Sequence, residues 1–406
     1  MLFNSKNYKW LVVALLWVVA LLNYLDRQML STMKASMQVS IVELQTATNF
    51  GQLMAIFLWI YGLMSPISGL AADRINRKWI IVSSLFVWSA VTLLMGFAQN
   101  FTQLLALRAL MGFSESLYIP AALSLIADYH DSKSRSIAIG IHMTGLYIGQ
   151  SLGGFGATIA ASFSWQATFQ LFGFVGVGYA LLLMILLKEN RKIEEESTIK
   201  ISENQIVNNL KSLFGNTAFI LLLLYFTIPS LSGWGIKNWL PTLFSQSLKI
   251  DMAQAGPLST ITMAFSSLVG VLAGGYLSDR WIQTHIRGRI FVSTIGLGLT
   301  IPALFLLGFG TEVWHLVGAA ICFGLGYGMF DANNMPILCQ IVSEKQRGAA
   351  YGLMNMCGVF AGALITNILG KSTDQGNLGY DLASLGGLVF IALGIFLALI
   401  KPKIAK

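Results

Sequence analysis

The sequence predicts an all-α membrane protein of twelve transmembrane helices in two pseudo-symmetric six-helix bundles. Three observations carry that prediction. Of the 406 residues, 55% are hydrophobic and only 11% are charged, against about 25% charged in soluble domains. Apolar runs of roughly 20 residues recur along the chain, each long enough to cross about 30 Å of hydrocarbon as a helix. Residue patterns in the first six runs return in the same order in the last six. Barrel strands would instead alternate polar and apolar with period two, which these runs do not do.

The first span, 10–33, opens with Trp10 to Asn23 free of charge and then places Asp26 and Arg27 side by side. Burying a charge at membrane depth costs several kcal/mol. Taken alone, the pair reads equally well as a helix end among headgroups or as a site inside the membrane. The run is too long for the apolar core of a signal peptide, and no small-residue cleavage site follows it. The remaining spans read 47–71, 79–98, 101–127, 137–161, 166–188, 216–247, 255–278, 289–309, 312–342, 347–370 and 380–400. The hydrophilic stretch from Lys188 to Gly215, with Glu194, Glu195 and Glu196, divides six spans from six. The expected organisation is an N-terminal bundle over 1–188, a cytoplasmic linker over 189–215 and a C-terminal bundle over 216–406.

Charge orients the bundle. Of the 26 Lys and Arg residues, three (Lys34, Lys249, Lys371) fall in loops on one side and three (Arg27, Arg108, Lys237) inside spans. The other twenty lie on the opposite side, which predicts cytoplasmic N- and C-termini. The net charge of +8 is therefore topological and gives no warrant for nucleic-acid binding. Cys322, Cys339 and Cys357 all lie in or at the end of spans and are odd in number, so no disulfide framework or metal spacing follows from them.

The repeat is specific. Gly69-Leu-Ala-Ala-Asp73-Arg74-Ile-Asn-Arg77-Lys78 follows span 2, and Gly275-Tyr-Leu-Ser-Asp279-Arg280 follows span 8. Span 4 carries Gly112, Glu115 and Pro120, then Asp128 and Arg135. Span 10 carries Gly328, Asp331, Pro336 and Glu344 at the same intervals as Gly112, Glu115, Pro120 and Asp128, followed by Arg347. Internal repeats of this kind mark transporter folds. These features resemble the major facilitator superfamily over the whole chain, and the resemblance implies that fold. The loop after span 2 is similar to the signature of that family between its second and third helices. In it Gly69 would permit close helix approach, while Asp73 and Arg74, with Asp128, Arg135 and Asp279, would gate the inner side. Asn76 stands where the family usually has Gly; Asn also tolerates a left-handed turn.

Six ionisable residues fall within spans: Asp26, Arg27, Arg108, Glu115, Lys237 and Asp331. At about 1.5 Å of rise per residue, Glu115 sits near the midplane and Asp331 within about 6 Å of it on the inner side. Arg27, Arg108 and Lys237 lie about 8–10 Å outward. Arg108 and Glu115 share one helical face two turns apart and cannot touch, so a ligand or water separates them, or each pairs with span 1. Structural ion pairs fixing helix register would be a costly use of six such groups. A guanidinium suits bidentate recognition of a carboxylate, which makes Arg27 the expected anchor. A desolvated Glu115 favours its neutral form and is suited to exchanging a proton, with Asp26 as a second candidate.

Asn23-Tyr24-Leu-Asp26-Arg27, together with Arg108 and Glu115, resembles the anion:cation symporters, which include hexuronate and aldonate permeases and sialin-type sialic acid carriers. That resemblance implies Arg27 as substrate anchor, Glu115 and Asp26 as proton sites, and Arg108 as their electrostatic partner. The run Pro120-Ala-Ala-Leu-Ser-Leu-Ile-Ala-Asp128-Tyr129 resembles equally the spinster-like lipid carriers, which leaves the substrate open. Tyr24, Lys237, His142, Tyr147, Gln150 and Asn334 are further candidate substrate-binding residues, with Thr144, Asn333 and Asn355 as polar neighbours and Trp234 and Trp239 as stacking surfaces. Span 5 carries Gly145, Gly149, Gly153, Gly154 and Gly156 for close packing and lacks the Gly-Pro pair of many drug/proton antiporters, which leans toward symport.

The expected protein is a proton-coupled symporter importing an organic anion such as sialic acid, a hexuronate or an aldonate. It needs no cofactor or metal beyond the proton as coupling ion. Its expected partners are the substrate, protons and the bilayer of the cell inner membrane, the carrier acting as a monomer. The short loops disfavour a receptor. No metal-spaced His cluster, Ser-His pairing or Gly-rich nucleotide loop supports an enzyme or a primary pump.

Overall fold

In a computed structural model, residues 5–131, 134–189, 211–343 and 346–399 are described, without the side chains of Ser5, Lys6, Leu70, Asp73, Arg74 and Ile395. Most of the linker, with Glu194 to Glu196, and Glu344 of the repeat lie outside the described residues.

Among these residues all regular structure is helical. The N-terminal half comprises α1 (Ser5–Thr32), short α2 (Lys34–Met37), α3 (Ala47–Arg74), α4 (Arg77–Met95), α5 (Phe101–Ser116), α6 (Tyr118–Tyr129), α7 (Arg135–Gly153), α8 (Gly156–Ser162) and α9 (Trp165–Leu186). The C-terminal half comprises α10 (Thr217–Leu248), α11 (Met252–Trp281), α12 (Gly288–Phe309), α13 (Val313–Asp331), α14 (Asn334–Cys339), α15 (Arg347–Asp374) and α16 (Leu378–Leu399). By length and composition, 11 segments of the described residues can cross a membrane, with α5–α6 and α13–α14 each counting as one. The twelfth expected span, 137–161, is α7 with α8. His142, Thr144 and Gln150 make it more polar than its neighbours, and it packs along α1 from Trp17 to Thr32.

Three spans expected to be continuous are broken. Span 4 stops at Leu117 and restarts at Tyr118. Span 10 stops after Asp331 and restarts at Asn334. The cause is the repeated proline. Pro120 and Pro336 have no N–H to give to the carbonyls of Ser116 and Ala332 four residues back. The chain turns there through shorter bonds, Leu117 N to Ser114 O at 3.3 Å and Asn333 N to Phe330 O at 3.1 Å. Each half therefore carries an acidic residue, Glu115 or Asp331, just ahead of a break. Span 5 breaks at Gly154–Phe155, where the Thr32 hydroxyl oxygen accepts from Ala157 N at 3.2 Å.

Glycines bring α1 and α7 together as their spacing predicts. Gly145, Gly149 and Gly153 recur every four residues and face the carbonyls of Trp17, Leu21 and Leu25. A β-carbon on Gly149 would collide with the Leu21 carbonyl, so the stripe fixes the rotation of α1 and hence where Arg27 points. Gly149→Leu is expected to destabilise the fold by about 1–3 kcal/mol or more, as overpacking does. It should lower the melting temperature of detergent-purified protein, whereas the same change at Gly387, where a β-carbon meets open space, should not. At Gly112 a β-carbon would sit 2.5 Å from the Phe57 carbonyl, which draws α5 onto α3.

The halves meet most closely at the end of the bundle remote from the chain termini, called here the far end. There Asp374 of α15 caps α3, its Oδ1 accepting from Ala47 N at 2.6 Å and its Oδ2 from Thr48 N at 2.8 Å and Thr48 Oγ1 at 2.6 Å. Gly154 packs on Gly256 and Thr260 of α11. Thr260 Oγ1 donates to Ser151 O at 3.2 Å and Thr158 Oγ1 to Ala253 O at 2.8 Å. The α3–α15 seam continues through Gly51 against Thr366 and Gly62 against Phe360, to Asn355 donating to Ser65 Oγ at 2.8 Å. Toward the termini the seams loosen. Around Gly69, Gly275 and Gly348, a β-carbon would meet nothing within 4 Å.

That open space corrects the expectation for Gly69: no helix approaches it closely in this conformation. The expected gating residues make their described contacts within their own halves. Asp128 pairs with Arg77. Arg135 Nε donates to His130 O at 3.4 Å. Asp279 pairs with Arg289 at 3.4 Å. The side chains of Asp73 and Arg74 lie outside the described ones. Asn76 has φ −59°, so the departure from Gly is not accommodated by a left-handed turn. Its side chain instead caps α4, accepting from Trp79 N at 3.2 Å, a role Asn fills well.

Candidate functional site

The rotation of α1 aims Arg27 toward α3 and α5. Its Nε donates to Glu115 Oε2 at 2.6 Å, and Asn23 Nδ2 donates to the same oxygen at 3.0 Å. Glu115 is wholly buried, while the Arg27 side chain is 12% exposed. Three rings surround the guanidinium, with centroids at 5.0 Å for Tyr24, 4.9 Å for Phe57 and 4.7 Å for Tyr61. Each is within cation–π range. Phe57 is shared, since the Arg108 guanidinium lies 4.7 Å from its centroid. The close α3–α5 packing at Gly112 is what inserts Phe57 beside both cations.

The polar groups are only half satisfied. Glu115 Oε1 and Arg27 Nη2 are buried without a hydrogen-bond partner, as are Asp26 Oδ1 and Arg108 Nε. Such groups are rare in folded proteins, and four of them gathered in one place call for an explanation. Asp26 is buried toward α4, where its Oδ2 accepts from Thr92 Oγ1 at 3.2 Å. Arg108 donates from Nη1 to the Met111 sulfur at 3.0 Å. Among the described residues, neither Arg108 with Asp26 nor Arg108 with Glu115 approaches to an ion pair.

The C-terminal half faces this cluster with Lys237 and Asp331. Lys237 Nζ lies over the rings of Trp234 at 5.2 Å and Tyr327 at 5.8 Å. Its carbonyl accepts from Gln28 Nε2 at 3.1 Å, joining α1 to α10 one residue beyond Arg27. Asp331 is exposed although it ends a membrane-spanning helix. It interacts electrostatically with Lys237, Tyr24, Tyr147, Tyr327 and Tyr351. Those residues lie on α10, α1, α7, α13 and α15, so the exposed face of Asp331 looks into the gap between the halves rather than to lipid. Asn334 Nδ2 donates to Asp331 Oδ1 at 3.3 Å.

Tyr24, Arg27, Tyr147 and Lys237 thus lie within electrostatic reach of one another or of Asp331, Asn334 joins them through its bond to Asp331, and Gln150 and Lys237 line a small cavity beside Gln28 and Thr260. Asp26, Arg108 and Glu115 stand behind Arg27. His142 is not among them. It is fully buried with its ring 5.9 Å from that of Tyr118, inside the N-terminal half. Sequence reasoning overlooked Phe57 and Tyr61 and the Tyr327–Asp331 face. The available signal was their spacing of four residues, which puts each pair on one helical face.

Comparison with known proteins fixes the family. The sequence profile of the Major Facilitator Superfamily matches residues 16–366. The chain belongs to that superfamily. It is 24% identical to the hexuronate transporter of Bacillus subtilis (strain 168), over 97% of this chain and 95% of that protein. It is 28% identical to protein spinster homolog 1 of Xenopus tropicalis, over 74% of this chain and 60% of that protein. Among solved structures, a bacterial homolog to the human lysosomal transporter Spinster, inward-facing and unoccupied, superposes with a TM-score of 0.82 at 18% identity, covering 97% of both chains. As a superfamily member whose relatives are named transporters, the chain is a multi-pass membrane carrier and not an enzyme.

Proposed function

We propose that this carrier is a symporter of protons with an organic anion, an acidic sugar such as an aldonate, a hexuronate or sialic acid, imported across the cell inner membrane. One observation carries the reading. Arg27 is held in an aromatic cage by a single oxygen of Glu115, while Arg27 Nη2 and Glu115 Oε1 remain buried and unpartnered. A guanidinium with an unfilled donor is suited to a carboxylate. A carboxylate with an unfilled oxygen is suited to a proton.

In this reading the end bearing the termini is cytoplasmic, the far end is outside, and the conformation described is closed outward and open inward. The monomer is the working unit. In the outward-open state a proton adds to Glu115 Oε1, which weakens its hold on Arg27 and leaves the guanidinium for the substrate carboxylate. The fully ionised site holds three cations (Arg27, Arg108, Lys237) and three anions (Asp26, Glu115, Asp331). One monoanion plus one proton keeps that balance, so neither loaded nor empty carrier turns over with uncompensated charge in hydrocarbon. On the cytoplasmic side the substrate leaves, Glu115 releases its proton, and its bond to Arg27 closes again.

A second reading, a lysolipid carrier, is favoured by the spinster relative and by the aromatic lining of the gap. A thermal-shift panel on purified protein separates the two, with gluconate, glucuronate and sialic acid set against neutral sugars and lysolipids. Stabilisation by the acids, with uptake into proteoliposomes rising when the outside is acidified, is the expected result. Stabilisation by lysolipids without any response to the acids would replace this reading with the second.

A further inference from the structure

Lys237 and Asp331 form an arrangement that the Arg27 site does not use. They interact electrostatically, yet among the described residues they do not approach to an ion pair, and no hydrogen bond from Lys237 Nζ is formed. The ammonium instead rests over Trp234 and Tyr327. Asp331 spends one oxygen on Asn334 at 3.3 Å and stays exposed to the gap. Asn334 is itself buried, and its Oδ1 lacks a partner. One wall of the gap therefore offers a donor-only group, the Lys237 ammonium, near an exposed acceptor-only group, the Asp331 carboxylate.

The hydrogen-bond inventory decides what fits between them. An ionised carboxylate only accepts and an ammonium only donates. An alkyl chain would satisfy neither, and a second carboxylate would be repelled by Asp331. A substrate ammonium would suit Asp331 but oppose Lys237. Hydroxyl groups both donate and accept, so neighbouring hydroxyls can give to Asp331 while receiving from Lys237.

We propose that Lys237 and Asp331 form a subsite on the C-terminal half that binds the hydroxylated end of the substrate, opposite the carboxylate held by Arg27. The inference rests on the anion reading of Arg27 and deepens it. The transported class is a polyhydroxylated monocarboxylate whose two ends are bound by different halves of the protein. Asp331 acts as a specificity-determining residue in that subsite. A ligand with both ends filled draws the two halves together, and a ligand with only one end cannot.

The test compares three six-carbon probes, gluconate, hexanoate and sorbitol, by equilibrium binding to purified wild type, Asp331→Ala and Asp331→Asn. Wild type should bind gluconate at least about tenfold more tightly than hexanoate, the factor expected for hydrogen bonds to a charged group. Sorbitol should bind least well. Asp331→Ala should lose most of that preference while keeping hexanoate affinity within about twofold, since a carboxylate anchored at Arg27 does not depend on it. Asp331→Asn, which retains one acceptor, should fall between and serves if the alanine variant does not fold. Wild-type gluconate affinity in both variants, or equal loss of both acids, would overturn the subsite while leaving the Arg27 anchor standing. Failure of wild type to bind either acid would overturn the anchor and the subsite together.

Discussion

Arg27→Ala is expected to lose at least about 100-fold in uptake at low substrate concentration, the sum of two hydrogen bonds to a charged carboxylate at about 1.5–3 kcal/mol each. The same change leaves Glu115 buried with Asn23 as its one remaining donor, and breaking a buried pair costs about 3–5 kcal/mol. Lower thermal stability should therefore accompany the lost transport, and stability alone does not distinguish the two causes. Arg27→Lys does. It keeps a cation near Glu115 and among Tyr24, Phe57 and Tyr61, but a compact ammonium cannot offer two parallel N–H groups. This variant should recover most of the stability and little of the uptake. Normal uptake of an acidic sugar by Arg27→Ala at low concentration would remove the anchor assignment.

The second large effect is on coupling. Glu115→Gln replaces a group that can gain and lose a proton with one that cannot, while its oxygen still accepts from Arg27 and Asn23. The variant resembles the protonated state at all pH values. Accumulation driven by an imposed pH gradient should disappear, and exchange of internal for external substrate should persist at a substantial fraction of the wild-type rate. Plotted against pH, the remaining exchange should be flatter than that of wild type. If Glu115→Gln still concentrates substrate when a proton gradient is applied, Glu115 is not the coupling site, and Asp26 would be the next carboxylate to examine.

The residues that made the fold legible were those whose placement follows from solvent alone. Apolar length gave the twelve spans, and the Gly-acid-Pro interval on spans 4 and 10 exposed the internal symmetry. Gly145, Gly149 and Gly153 were readable as a contact stripe because a four-residue period puts them on one face whatever that face meets. The breaks after Leu117 and Asp331 were within reach too, because Pro120 and Pro336 were already part of the repeat. A proline leaves the carbonyl four residues back without its helical donor.

Other features depended on long-range geometry that no local pattern encodes. Phe57 and Tyr61 look like lipid-facing aromatics in a sequence, and only the approach of α5 at Gly112 makes them walls around Arg27. His142 looked like a cavity residue because its helix neighbours are polar, but the rotation imposed by the glycine stripe turns it toward Tyr118. Gly69 has the spacing of a helix contact, but a β-carbon there meets nothing within 4 Å. A span sequence describes what two halves can do over a cycle, and a single conformation shows one arrangement of it.

The cap on α3 separates two properties that substitutions in carriers often disturb together. Its donors, apart from the Thr48 hydroxyl, are the backbone N–H groups of Ala47 and Thr48, which persist under any replacement other than proline. The acceptor is the single carboxylate of Asp374, at the far end, away from Arg27, Lys237 and Asp331. In the proposed alternating-access cycle these bonds would break each time the far end opens and form again each time it closes. On that proposal, substitution of Asp374 is expected to change the balance of the two conformations and the turnover rate, measured as uptake velocity, without changing the ranking of one ligand over another. Under the proposed cycle, pace and selectivity are encoded at different addresses in this chain, so each is free to drift without the other.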